Sequence, residues 1–255
     1  MPEPSVMAQR RITILGVAVD NLAEGEVLAR IAALIAAGGP HHVVTVNPEF
    51  VIEAQANPTF RSVLARADIA TADGFGLLLA ARYLGTPLRG RVTGVELTLR
   101  LAELAAARGY RMFLLGAAPG VAAATAAGLQ ARYPGLIIAG AYAGSPQLRH
   151  EPFIRQVITA ARPHMLLVAY GHPQQDLWIA RNQPTLQVPL AIGVGGTFDY
   201  LSGRVRRAPA YIRRLGLEWA YRLARQPDRW RRIINAVPRF AWRVIAQGRR
   251  ASRYP

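Results

Sequence analysis

The chain contains no cysteine and no lysine. The first absence excludes disulfides and thiolate metal sites and suits a reducing compartment. The second leaves arginine as the sole strongly basic side chain. Long apolar runs are missing too: no segment approaches the ~20 apolar residues that a membrane-spanning helix needs. Arg10-Arg11 ahead of Ile12 to Val19 imitates a signal peptide. However, the apolar part is only eight residues long, Asp20 ends it and no small-residue cleavage site follows. The segment therefore reads as a first strand.

Familiar chemical signatures are also absent. There is no Gly-rich loop with Lys-Ser/Thr, no complete G-x-G-x-x-G followed by a suitable acid, and no G-x-S-x-G elbow. No Asp-x-Asp pair offers itself to a divalent ion, and the five histidines show no ligand spacing. His41-His42 stand at a strand entrance and read as structural. The chemistry must run on a carboxylate, amides, hydroxyls and arginines, with no cofactor and no metal.

What is present describes a globular chain of 255 residues, 51% apolar and 18% charged, able to bury one substantial core. Its charge is local. Residues 204–255 hold 15 arginines against Glu218 and Asp228, a surplus of 13; the other 203 residues carry a surplus of only 3. Three of the four tryptophans, Trp219, Trp230 and Trp242, lie in that same tail.

Apolar, β-branched runs recur at Arg11 to Val19, His42 to Val46, Ala67 to Thr71, Met112 to Leu115, Leu136 to Ala139, Met165 to Ala169 and Pro189 to Val194. Stretches with helical periodicity, such as Val95 to Arg108 and Val121 to Arg132, lie between most of them. Strands alternating with helices predict a mostly parallel sheet, and strands that are apolar throughout predict helices on both of its faces. The expected fold is a Rossmann-like α/β domain over residues 1–203. From Arg204 onward strand signals vanish, which predicts a basic helical appendage over 204–255, broken at Pro209, Pro227 and Pro238.

Ligands of parallel sheets bind beyond the carboxyl ends of the strands, and polar residues gather there. Thr45 and Asn47, two apart, point the same way if extended. Asn47 before Pro48 is equally a helix cap, and Thr45 suits a strand in any case. Asp73-Gly74 follows the Ala67 run directly; Asp-Gly is a common turn and Asp a common cap, but its position beside Thr45 and Asn47 favours chemistry. Gln174-Gln175 open a helix, where amides can serve a sugar or a base or merely face solvent. Gly193-Val194-Gly195-Gly196-Thr197-Phe198-Asp199 is a glycine-rich turn of the kind that binds nucleotides or nothing.

These pieces, in this order, resemble the WecG/TagA/CpsF family of bacterial glycosyltransferases from about Ile14 to Phe240. Carrying the resemblance are Thr45-Val46-Asn47-Pro48-Glu49, Ala72-Asp73-Gly74, Arg89-Gly90-Arg91-Val92-Thr93-Gly94 and Gly116-Ala117-Ala118-Pro119-Gly120-Val121. Gly171-His172-Pro173-Gln174-Gln175-Asp176, the glycine-rich turn above, Arg207-Ala208-Pro209 and the tail from Gly216-Leu217-Glu218-Trp219 to Arg229-Trp230-Arg231-Arg232 extend it. The resemblance implies a metal-independent, inverting enzyme, cytoplasmic and peripheral on the inner face of the cell membrane. It moves a sugar (N-acetylmannosamine, its uronic acid, or glucose) from a UDP donor to an undecaprenyl-diphosphate-linked monosaccharide, as in teichoic-acid or exopolysaccharide synthesis.

By motif position Asp73 resembles the base, Thr45 and Asn47 active-site contacts, Arg91 and Gln175 substrate contacts, and Asp199 a nucleotide contact with Gly195 and Gly196 beside it. Arg222, Arg229 and Arg232 resemble tail arginines that complete the site; their spacing would set them on one face of an uninterrupted helix. The chain departs from the family at Gln174, where Lys is common, and at Gly144-Ser145-Pro146-Gln147, a more aromatic segment in relatives. Both departures bear on the donor sugar. Interleaved Trp, Tyr and Leu favour an anionic membrane surface over nucleic acid as the tail's partner. The rival readings are a nucleic-acid-binding protein on a Rossmann-like scaffold and, less well supported, a dinucleotide-dependent oxidoreductase. A homo-oligomer is compatible with the sequence.

Overall fold

The computed structural model describes residues 11–225 and 230–251. The first apolar run is not one strand. It folds into an antiparallel hairpin, β1 (Arg11–Ile14) and β2 (Val17–Asp20), because Leu15 and Gly16 both take positive φ, 49° and 77°, and reverse the chain. Helix α1 (Glu24–Ala37) leads into β3 (His41–Val46), followed by α2 (Pro48–Ala56), α3 (Pro58–Arg66), β4 (Ile69–Ala72) and α4 (Phe75–Tyr83). The second half runs α5 (Gly94–Arg108), β5 (Arg111–Gly116), α6 (Val121–Arg132), β6 (Ile137–Tyr142), α7 (Glu151–Ala161), β7 (Met165–Ala169), α8 (Gln174–Leu186), β8 (Leu190–Gly193) and α9 (Thr197–Leu201). The tail forms α10 (Ala210–Arg214), α11 (Glu218–Arg225) and α12 (Trp230–Ala251).

Strands β4-β3-β8-β7-β5-β6 make one six-stranded, wholly parallel sheet. Successive strand residues alternate between two cores, which is why the strands read as apolar throughout. Val43, Met112, Leu114, Leu167 and Ile192 face α1, α5, α6 and α9. Val44, Val46 and Ala70 face α2, α3, α4 and the hairpin, and Phe113, Leu166 and Val168 face α7 and α8. This is the expected Rossmann-like α/β architecture.

The tail differs from expectation in one respect. Pro238 lies inside α12 rather than at a break, although an interior proline costs a helix ~3 kcal/mol. Phe240 and Val244, one turn apart, are buried in the same core as α2 and α4, and that burial offsets the lost backbone bond. Pro209 is the N-cap of α10, as a helix boundary requires. Pro227 lies outside the described residues.

Candidate active site

Register brings the first polar side chains together. Val46 of β3 pairs with Ala72 of β4, so Asn47 and Asp73 leave the sheet side by side, and the Asp73 amide donates to the Val46 carbonyl at 2.7 Å. Asn47 is the expected cap: its Oδ1 accepts from the amides of Glu49 at 2.9 Å and Phe50 at 3.2 Å. That leaves its amide N–H groups as the donors available to a ligand. Asp73 is not the cap of α4, whose N-cap is Gly74 and has no side-chain cap bond. Its Oδ2 instead accepts from the Gly94 amide, the first residue of α5, at 3.1 Å. The carboxylate therefore sits at the N-terminus of α5. Gly74 permits this crowding, since a Cβ there would lie 3.1 Å from Pro48 Cδ and its φ is 150°.

Thr45, buried, donates its hydroxyl to the Gly193 carbonyl at 3.1 Å, tying β3 to the end of β8. Gln175, 1% exposed, accepts from the Gly195 amide at 2.8 Å. Gly193 must lack a side chain here: a Cβ would lie 2.5 Å from both Asp176 Oδ1 and Gln175 Nε2. The amide of Gln175 thereby fixes the glycine turn rather than facing solvent.

Thr45, Asn47, Asp73, Arg91, Gln175, Gly195 and Gly196 all line one cavity of about 490 Å³, within the range of small-molecule sites. Asp199 is not among its lining residues; its carbonyl accepts from Val205 and Ser202, and the adjacent Tyr200 lines the cavity instead. Arg229 lies outside the described residues, as do the side chains of Arg222 and Arg232. Arg222 belongs to α11 and Arg232 to α12.

Several cavity residues belong to the motifs above but drew no attention as side chains. Arg207 pairs with Glu96 at 3.2 Å and Glu218 at 3.3 Å, clamping the start of the tail onto α5. Burial pushes the Glu96 carboxyl up, but the bond from the Thr93 hydroxyl and the charges of Arg207 and Arg91 outweigh it. The group is held below the ordinary glutamate range. Glu49 and His172 face one another at 3.5 Å, and the His172 ring stacks on Phe50 with centroids 5.0 Å apart. His41 and His42, by contrast, pair with Asp68 and Asp176 away from the cavity.

The cavity has two chemically distinct ends. At the strand termini it is polar, and the N-caps of α2, α4 and α5, namely Asn47, Gly74 and Thr93, all line it, directing partial positive charge inward. Away from the sheet it is walled by Leu79, Tyr83, Trp219, Phe240, Val244 and Ile245 from α4, α11 and α12. Trp219 in this wall is 45% exposed, and Trp242, on α12 but not among the lining residues, is 70% exposed. Among the described residues no three His, Asp or Glu side chains are grouped to hold a metal ion, and no helix is long and apolar enough to cross a membrane.

A polar pocket opening onto an apolar wall suits an amphiphilic substrate, and the comparisons with known proteins agree. The sequence profile described as "Glycosyl transferase WecG/TagA/CpsF family" matches residues 12–254. A protein of Bacillus spizizenii is 36% identical over 211 residues, covering 83% of this chain and 81% of that protein. One from Bacillus subtilis is 33% identical, covering 80% and 79%, and one from Staphylococcus aureus is 30% identical over 247 residues, 95% of each chain. All three are named N-acetylglucosaminyldiphosphoundecaprenol N-acetyl-beta-D-mannosaminyltransferase. With the match spanning sheet, cavity and tail alike, the chain belongs to the WecG/TagA/CpsF family of glycosyl transferases.

Proposed function

We propose that the chain moves a sugar from a UDP donor onto a monosaccharide carried by polyprenyl diphosphate, with inversion at the anomeric carbon. The names of the relatives favour N-acetylmannosamine as the sugar and N-acetylglucosaminyl-diphosphoundecaprenol as the acceptor. The observation that carries the reading is the cavity's two ends. One offers Asp73 and convergent helix N-termini to a sugar and a diphosphate, and the other offers an apolar wall to a lipid tail.

Asp73 acts as general base: it takes the proton of the acceptor hydroxyl as that oxygen attacks the anomeric carbon of the donor. The bond from that carbon to the UDP oxygen breaks, and UDP departs with the electron pair. Arg91, half-buried in the loop before α5, and the backbone amides at the helix starts meet the resulting charge. The tail brings the mouth to an anionic bilayer, where each basic residue near the surface contributes about 1 kcal/mol and the exposed tryptophans settle among headgroups. This places the enzyme on the inner face of the cell membrane, at the acceptor's own location.

Thermal melting separates this reading from nucleic-acid binding. UDP at about 100 times its Kd stabilises by ~2.7 kcal/mol, which raises Tm by several degrees for a chain of this size; a short RNA leaves it unchanged. A rise with RNA and none with UDP would reverse the assignment.

A further inference from the structure

The departing UDP brings negative charge into the polar end of the cavity. Among the described residues, the cationic side chains on the cavity wall besides His172 are Arg91 and Arg207, and both belong to the same side. Arg207 is paired with Glu96 and Glu218, and Arg91 adds its charge to the field on Glu96. This basic side precedes and flanks α5, on the sheet face covered by α1, α5, α6 and α9.

His172 approaches from elsewhere. It sits between β7 and α8, and its partner Glu49 lies in the first turn of α2. Helices α2 and α8 cover the other face of the sheet. Two features hold the ring. Its face stacks on Phe50 at 5.0 Å, and its Nε2 lies 3.5 Å from Glu49 Oε2, with the His172 side chain only 12% exposed. The Glu49 carboxylate is placed to pair with the ring when it carries a proton. The Gly195-Gly196 turn, whose backbone a phosphate can approach closely, lines the same polar end between the two sides.

We propose that His172, oriented by Glu49 and Phe50, is a catalytic residue that contacts the leaving diphosphate as an imidazolium, opposite the arginines. When the bond between the anomeric carbon and the UDP oxygen breaks, the electron pair stays on that oxygen and the imidazolium balances it. The proton that Asp73 takes from the acceptor is a separate one. Glu49 is the positioning residue: it keeps the ring turned and charged. This inference rests on the UDP-dependent transfer proposed above.

The test is calorimetric titration of the full-length protein with UDP and, separately, with uridine, which lacks the diphosphate. His172→Phe keeps an aromatic ring for the Phe50 stack and removes the imidazole; Glu49→Gln keeps the imidazole and removes its carboxylate partner. Both variants are expected to bind UDP about ten-fold or more weakly while binding uridine like the parent protein. Parent UDP affinity is expected to fall as pH rises through the histidine range, and to stay flat there in His172→Phe. Glu49→Gln is expected to move that fall to lower pH. Among the described residues, the charged side chains lining the pocket besides His172 are Glu49 from α2, Asp73 beyond β4, Arg91 and Arg207 beside α5, and Glu218 from α11; of these, Glu49 pairs with the ring.

Unchanged UDP affinity in His172→Phe would overturn the inference while leaving the transfer reading standing. So would equal losses for UDP and uridine, which mark a purely structural role. Should His172→Phe fail to fold, Glu49→Gln decides by the same UDP-to-uridine comparison. A parent protein that binds no UDP would remove the transfer reading itself, and this inference with it.

Discussion

Asp73→Asn is expected to lower sugar transfer by about 10²–10⁴-fold, the usual contribution of a general base, with the fold and UDP binding retained. Retention follows from geometry. Among its interactions, the native carboxylate accepts a hydrogen bond from the Gly94 amide through Oδ2, and the Asn side-chain oxygen can accept the same bond. What Asn cannot do is take a proton from the acceptor. Initial rates with purified protein, alongside melting curves with and without UDP, check both halves. Near-normal rates would remove Asp73 as the base and turn attention to Glu49, another carboxylate lining the cavity, which is paired with His172. Loss of the folded state would return Asp73 to a structural role at the start of α5.

Truncation after Gly203 is expected to abolish both liposome binding and transfer to a lipid-linked acceptor. The structure makes the loss more than a loss of charge. Phe240 and Val244 of α12 are buried against α2 and α4, and removing buried side chains of that size costs ~3–5 kcal/mol for a phenylalanine alone. Trp219, Val237, Ala241 and Ile245 go too, and with them the outer wall of the cavity. A milder variant separates anchoring from folding. Trp242→Ser alters a side chain that is 70% exposed, so melting should move little, within about 0.5 kcal/mol of the parent, while co-sedimentation with anionic vesicles weakens. Full activity of the truncated chain on a lipid acceptor would break the link between tail and transfer.

How much of this was legible in the sequence depended on whether a feature was written locally. The parallel sheet was, because strands covered on both sides are near-continuously apolar, as β7 is throughout, β5 is after Arg111, and β3 is from Val43 to Val46 apart from Thr45. The polar rim was legible for a related reason: Asn47 and Asp73 are the residues at which apolar runs stop, with Thr45 just before one such end and Gln175 shortly after another. The hairpin at Leu15-Gly16 was not, since a leucine at positive φ carries no local signature. Nor was the continuation of α12 through Pro238, because the burial that sustains it comes from α2 and α4, far earlier in the chain.

The site's second layer was hidden in the same way. Glu49 and His172 each stood inside a recognised motif, yet neither motif says that the two meet, and the Arg207 clamp on Glu96 joins residues 111 apart in sequence. Asp73 illustrates the reverse case. An Asp-Gly pair at a strand end reads locally as a turn or a cap of the next helix, and only the fold reveals that its carboxylate reaches a different helix, α5.

The most direct test of the whole account is a transfer assay with purified full-length protein in anionic vesicles holding polyprenyl-diphosphate N-acetylglucosamine, against a panel of radiolabelled UDP-sugars. The expected result is label from UDP-N-acetylmannosamine in a lipid-linked disaccharide whose new glycosidic bond is inverted relative to the donor. No lipid-linked label from any UDP-sugar in the panel would contradict it.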